Sequence, residues 1–359
     1  DAAGEALEFY ATSTIASSDG DVVLSKSVYP VPFNGTDLFE GDDTVDSQSH
    51  TGNVTATITV SEPDNTADTL TIATVNTMQI KLIHGTTTTL LFNAGDSGGA
   101  AAVGETSADS NATELGYLTE TERGTSVYEV DMVIQAKMCG PGTTTAGGTL
   151  STHQCVDVKS GDVVQVSYED ASDGAGATST FYDSSTFDLR GSTLTTDKDV
   201  YVIGSDMVVT LTDPDLNVDA ASIETYALNL IEWDSDASGS EFLNDTTDFT
   251  ANPSKLQETG SDTGVFQTVI TIPTGIYDSS GTTEVAIDFG ESVTLTYVDT
   301  GVAGEEDYLG DRTDVETTFS ISNFGALIEL DKAVYGWKDA VGITITAPDH
   351  NQNSSAEET

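Results

Sequence analysis

Positive charge is what this sequence has least of. Its 359 residues hold 11 Lys plus Arg against 60 Asp plus Glu, a formal net charge of −49. A surface of that kind repels phosphate, which excludes nucleic acid as a partner and leaves divalent and monovalent cations as the natural ones. Long apolar runs are missing as well. No stretch approaches the roughly 18 residues that a spanning helix needs, so no membrane insertion is expected within this segment. The first residues, "DAAGEALEFY", lack the basic and apolar regions of a secretion signal. Any signal or anchor is expected to have been removed or to lie outside this sequence.

Cysteine is scarce, and its spacing excludes zinc and CxxC redox sites. Cys139 and Cys155 are separated by "GPGTTTAGGTLSTHQ". One reading is a disulfide closing that loop, worth roughly 3 kcal/mol in an oxidising compartment; the other is a pair of reduced core thiols. Five N-x-[ST] sequons, at Asn34, Asn53, Asn111, Asn244 and Asn353, are candidate glycosylation sites and fit secretion. The four histidines, His50, His84, His153 and His350, lie too far apart for metal-ligand spacing. "GDSGG" at 95–99 matches the string around a serine nucleophile, but only His50 and His84 precede Ser97, neither in a recognisable context. A nucleophilic serine needs a histidine base oriented by a carboxylate, so the stretch reads as a Gly-rich loop. No catalytic residue is assigned, and no enzyme is expected.

Hydrophobic residues make up only 37% of the chain, enough for several modest cores rather than one large one. Their order is repetitive. "SKSVYPVPF" at 25, "DKDVYVIGS" at 197 and "DKAVYGWKD" at 331 share [DS]-K-x-V-Y. Downstream come "TITVSEPDN", "VVTLTDPDLN" and "GITITAPDHN", alternating β-branched residues that run into Pro-Asp. Lys198 to Asp215 and Lys332 to Asp349 are 17 apart, whereas Lys26 to Asp64 is 38, so the first unit carries an insertion around 34–54. Two further anchors recur: "ETERGTSVYEVDMVI" with "ETGSDTGVFQTVITI", and "GDVVQVSYED" with "GESVTLTYVD".

Period-two segments broken by Gly, Asp and Ser turns, with no helical periodicity, predict an all-β chain of tandem immunoglobulin-like antiparallel β-sandwich domains. Residues 1–20 read as the end of a preceding β-domain, 21–190 as one unit with insertions at 34–54 and 67–119, 191–325 as a second, and 326–359 as the opening strands of a further one. The 67–119 stretch reads either as a sandwich of its own or as long loops on the first unit.

One stretch concentrates the acidity. "LTDPDLNVD" places Asp213, Asp215, Asn217 and Asp219 at alternate positions, and with Glu224 they match positions 1, 3, 5, 7 and 12 of a calcium loop. Val218 stands where that loop wants glycine, and a strand rather than a helix precedes it. The metal reading is therefore a Ca2+ site at the edge of a sandwich, completed by Glu258 or Asp262 from the "ETGSDTG" loop. The other reading is an Asp-Pro turn in which Asp213 or Asp215 caps backbone N–H groups.

Together, "DKDVYVIGSDMVVTLTDPDLNVD", "ETGSDTGVFQTVITIP" and "GESVTLTYVD" resemble the repeated unit of the large surface-layer (S-layer) proteins of ammonia-oxidising archaea. The resemblance implies an extracellular, cell-surface structural protein that self-associates into a homo-oligomeric two-dimensional lattice, porous and divalent-ion dependent. A dense acidic lattice would act as a cation-favouring sieve, with loops such as 40–46 and 304–314 lining its pores. Two alternatives use the same sandwiches: a secreted adhesin or stalk, and accessory domains of a degradative enzyme.

Salt screens self-repulsion, shortening its reach from roughly 10 Å at 0.1 M to about 3 Å at 1 M. Thermal unfolding should therefore shift upward as sodium chloride is raised over that range; a flat or falling midpoint would contradict this.

Overall fold

A computed structural model describes residues 17–32, 53–70, 77–93, 118–139, 155–277, 283–299, 313–322, 326–347 and 350. Alternating side-chain environment explains the strands. "VTATITVS" (Val54–Ser61) and "DMVVTLT" (Asp206–Thr212) bury every second residue, the period of a sheet with one face on a core.

The first unit contains β1 (Asp21–Leu24), β2 (Val28–Pro30), β3 (Val54–Ser61), β4 (Thr69–Leu70), β5 (Met78–His84), β6 (Thr87–Asn93), β7 (Leu118–Glu120), β8 (Val127–Ile134), β9 (Lys137–Cys139), β10 (Cys155–Asp157), β11 (Val163–Asp170) and β12 (Ser179–Asp188). Two five-stranded sheets, β1-β3-β8-β7-β4 and β2-β12-β11-β5-β6, face each other across one core. The second unit contains β13 (Thr193–Thr196), β14 (Val200–Tyr201), β15 (Asp206–Thr212), β16 (Thr225–Tyr226), β17 (Ile231–Ser235), β18 (Gly239–Phe242), β19 (Thr250–Glu258), β20 (Val265–Thr271), β21 (Gly275–Tyr277), β22 (Glu284–Ala286), β23 (Ser292–Asp299) and β24 (Thr313–Ile321). Its sheets, β13-β15-β20-β19-β16 and β14-β24-β23-β17-β18, repeat the arrangement around a separate core. The chain is thus all-β and built of tandem immunoglobulin-like sandwiches. Strands β25 (Leu327–Leu330) and β26 (Ile343–Thr346) form a hairpin with exposed apolar residues.

The described parts of 67–119 belong to neither of the two forms expected for that stretch. Strands β4 to β6 enter the first unit's own sheets, β5 pairing with β11 along Ile83↔Val163 to Met78↔Tyr168. In the β9–β10 ladder the backbones of Cys139 and Cys155 are direct partners. Most of the 34–54 insertion, "GDSGG" at 95–99, the 40–46 loop, nearly all of 304–314, His50, His153, Asn34, Asn111 and Asn353 lie outside the described residues. Asn53 and Asn244 are exposed.

The [DS]-K-x-V-Y motif marks the corner where the chain leaves one sheet for the other: β1 pairs antiparallel with β3, then β2 pairs parallel with β12. The second unit crosses in the same way, with β14 parallel to β24. The tyrosine closes the corner. Tyr201 Oη donates to Asp197 at 2.6 Å and accepts from Lys198 N–H at 2.8 Å. The same Asp197 oxygen accepts from Val208 N–H at 2.7 Å. Asp331, Tyr335 and Gly342 N–H repeat this geometry, and Ser25, Tyr29 and Thr57 N–H do so with a hydroxyl in place of the carboxylate.

Because the cores are separate, damage to one should stay there. Trp233, fully buried against Phe249 and Phe319, is the largest side chain in the second. Trp233→Ala should cost about 3–5 kcal/mol, and scanning calorimetry should show one transition falling well below the other. A single transition moving as a whole would contradict two cores.

Candidate functional site

The acidic stretch folds where the second sandwich receives the chain from the first. After β15, Pro214–Leu216 form one turn of 3-10 helix, with Asp213 as its cap. Asp213 Oδ1 accepts from Asp215 N–H at 2.8 Å, and Oδ2 accepts from Tyr297 Oη at 2.6 Å. Asp215 faces the linker: its Oδ2 accepts from Arg190 N–H at 2.7 Å and Oδ1 from Arg190 Nε at 3.3 Å. The Arg190 guanidinium also reaches the Pro214 carbonyl at 2.7 Å, and Ser192 N–H is held by Asp299 at 2.7 Å.

The first unit holds its own incoming chain with matching residues. Ser18 N–H binds Asp64, Gly20 N–H binds Asp170, and Tyr168 Oη donates to Glu62. Thus Asp64 and Asp215 of the Pro-Asp pairs are linker clamps, and Glu62 and Asp213 are tyrosine-bonded caps.

Opposite this leading end of the second sandwich sits the trailing corner of the first. Lys26 Nζ donates to the Asn217 carbonyl at 2.8 Å, to Asn217 Oδ1, and to Asp262 Oδ1 at 3.2 Å. Asn217 Nδ2 donates to the same Asp262 oxygen at 2.9 Å. The Lys26 side chain is only 7% exposed, whereas Asp262 is 52% exposed. A backbone bridge adds to the contact: Thr55 N–H donates to the Val218 carbonyl at 2.9 Å.

The "ETGSDTG" loop makes this possible. Glu258 Oε1 accepts from Thr263 and Gly264 N–H, both at 2.8 Å, which folds the loop back on itself. Gly264 has φ +60°, and an added Cβ would lie 3.0 Å from Pro214 Cα. The first unit places Ser126 at that position with φ 56°. The close approach to Pro214, more than the angle, is what asks for glycine here.

The structure therefore gathers the seven candidate oxygen-bearing residues at one end of the second sandwich, with protein donors at many of their oxygens. Asp219 Oδ1 accepts from Ala221 N–H, and Glu224 Oε1 accepts from Asp219 N–H at 2.7 Å. Glu224 N–H faces Glu258 Oε2 at 3.4 Å. Among the described residues, the carboxylates whose oxygens lie within 4.8 Å of one another as a group of three are Glu241, Asp245 and Asp248, elsewhere on the second unit. Among the described residues, Lys26 and Arg190 bring positive charge to the acidic stretch. Arg190 lies in no repeated motif, and Lys26 was expected only as part of the [DS]-K-x-V-Y corner; its recurrence in every such corner of a chain with 11 basic residues was the signal.

Burial sets the electrostatics. It pushes Asp213 up to about 6, against the pull of Tyr297, and Asp215 up to about 8, helped by Asp213 and opposed by Arg190. Burial and the adjoining Glu258 carboxylate also raise Glu224. Burial of Lys26 lowers its ammonium below the usual lysine value.

The sequence matches no protein-family model, and no curated protein matches it. Among solved structures it is similar to the Escherichia coli adhesin FdeC, at 11% identity and TM-score 0.23, over 96% of this chain and 77% of that one. It is also similar to the adhesin InvE of Yersinia pseudotuberculosis, at 12% identity and TM-score 0.21, over 84% of this chain and 58% of that one.

Raised carboxyl groups fix the sign of the pH dependence. Unfolded aspartate and glutamate titrate near 4, so between about pH 4 and pH 8 the folded chain holds protons that the unfolded chain releases. The stability they contribute is full below about pH 4 and is lost as pH rises through the folded values. At constant ionic strength the second unit should melt higher at pH 5 than at pH 8.5, with the difference reduced in Asp215→Asn; the opposite slope would refute the assignment. Asp215→Ala strands Arg190 N–H and should cost about 1–3 kcal/mol by denaturant unfolding.

Proposed function

We propose that this chain is a structural, non-enzymatic segment of a cell-surface protein, in which tandem sandwiches are locked end to end into a stiff rod. The observation that carries this reading is the junction. The incoming linker is clamped where β3 and β11 end, and the outgoing corner lies where β3 begins and β12 ends, so each unit is joined at opposite poles. An eight-residue strand spans about 26 Å between those poles, and Lys26, Arg190 and the Thr55–Val218 bridge fix one unit on the next. A rod of this kind suits an architectural role better than a catalytic one.

In its specific form the proposal is a porous S-layer lattice, acidic enough to favour cations over anions at low salt. The repeated motifs and the net charge support it. An extracellular setting also fits a Cys139–Cys155 disulfide, since their backbones pair directly, and glycans on the exposed Asn53 and Asn244. The second reading, a stalk carrying an adhesive tip, is favoured by the inter-unit contacts described, which are end to end within one chain.

Negative-stain imaging with calcium, magnesium or chelator separates the two. Ordered sheets support the lattice, and their loss with chelator and in Asp213→Ala/Asp215→Ala would tie assembly to an ion at that loop. Monodisperse rods under every ion condition would sink the lattice and leave the stalk. Bent or freely jointed particles would overturn both.

A further inference from the structure

We propose that Lys26 and Asn217 become joined by an isopeptide bond, a covalent cross-link between the two sandwiches, with Asp262 as the proton-transferring catalytic residue. The three come from separate segments: the β1–β2 corner of the first unit, the turn after β15, and the β19–β20 loop of the second. Lys26 Nζ donates to Asn217 Oδ1 and lies 3.2 Å from Asp262 Oδ1. Asn217 Nδ2 donates to that same oxygen at 2.9 Å. One carboxylate oxygen thus touches both the nitrogen that would attack and the nitrogen that would leave.

The chemistry balances within the chain. Asp262 takes a proton from the Lys26 ammonium, and the freed amine attacks Cγ of Asn217. The Nζ–Cγ bond forms as a tetrahedral carbon. Asp262 returns its proton to Nδ2, the Cγ–Nδ2 bond breaks, and ammonia departs, carrying off the second proton shed by Nζ as ammonium. Asp262 ends as it began, nothing is oxidised or reduced, and no co-reactant is needed.

Three features favour the reaction over a resting ion pair. The Lys26 side chain and Asn217 are each only 7% exposed, which limits water as the competing nucleophile, and the lowered ammonium pKa raises the share of neutral amine. Both reactants are also already in place, which replaces a bimolecular encounter with a positioned one. The first unit cannot be linked in this way at its own leading end, since Thr66 and Gly124 stand where the second unit has Asn217 and Asp262. The bond would add to the rod a covalent tie that holds under tension, whether that rod builds a lattice or a stalk.

Intact mass spectrometry of the full, unglycosylated chain, followed by protease mapping, tests this. The wild-type chain is expected to be lighter than its sequence by one ammonia for this bond, with the Lys26 and Asn217 peptides recovered as one branched species. Lys26→Arg and Asn217→Ala should lack that species. Asp262→Ala, which retains both partners, should be unlinked or link far more slowly, while its circular dichroism stays that of the wild type. Lys26 and Asn217 recovered only in separate wild-type peptides would overturn the proposal, as would an ammonia loss that maps elsewhere. Undiminished linkage in Asp262→Ala would overturn the role given to that carboxylate.

Discussion

A single ammonium held by Asn217 and Asp262 is the constraint on which the arrangement of this molecule depends. With 60 acidic and 11 basic residues, any two units brought end to end present negative charge to negative charge. The chain meets this by placing a lysine on the trailing corner of one sandwich and a cage of oxygens on the leading end of the next. Burying such a charge is costly unless its donors are satisfied; Lys26 is given a carbonyl, a side-chain amide oxygen and a carboxylate. Burial and the adjoining Glu258 raise the Glu224 carboxyl, which opposes a build-up of negative charge there.

Around that contact, two tiers of hydrogen bonding make the junction a continuation of the fold. The Pro-Asp carboxylates hold linker N–H groups in both units, and the second unit adds the Arg190 guanidinium. The tyrosines of "VVQVSYED" and "SVTLTYVD" reach from the opposite sheet to Glu62 and Asp213. Each repeated string therefore serves one structural element of a unit: corner, cap, loop or clamp. At the socket the units differ: Asn217 and Asp262 stand in the second where Thr66 and Gly124 stand in the first.

The architecture was legible because alternation is a local signal: strands such as Val54–Ser61 and Ser292–Asp299 declare both their period and their buried face. The repeats also located the corners and loops, and the pairing of the "DPDLN" and "ETGSDTG" loops was expected from their acidity. The lysine that reaches this loop was not legible. Lys26 and Asn217 are 191 residues apart, and nothing in either segment says that the trailing corner of one unit meets the turn of the next. The placement of β5 and β6 in the first unit's sheets was hidden for a related reason: β6 pairs with β5, but β5 is joined to the sheet through β11, some 80 residues downstream, beyond a Gly-rich stretch that obscures the period.

The central claim is that Lys26 fixes one sandwich on the next. Its most direct test is the distance distribution between two spin labels, one on each sandwich, introduced as non-natural amino acids and compared between the wild type and Lys26→Met. A narrow distribution in the wild type that broadens in the variant, with both sandwiches still folded, is what this account predicts. Equally narrow distributions would mean that the linker clamps alone set the geometry, and equally broad ones that the two sandwiches are not locked at all.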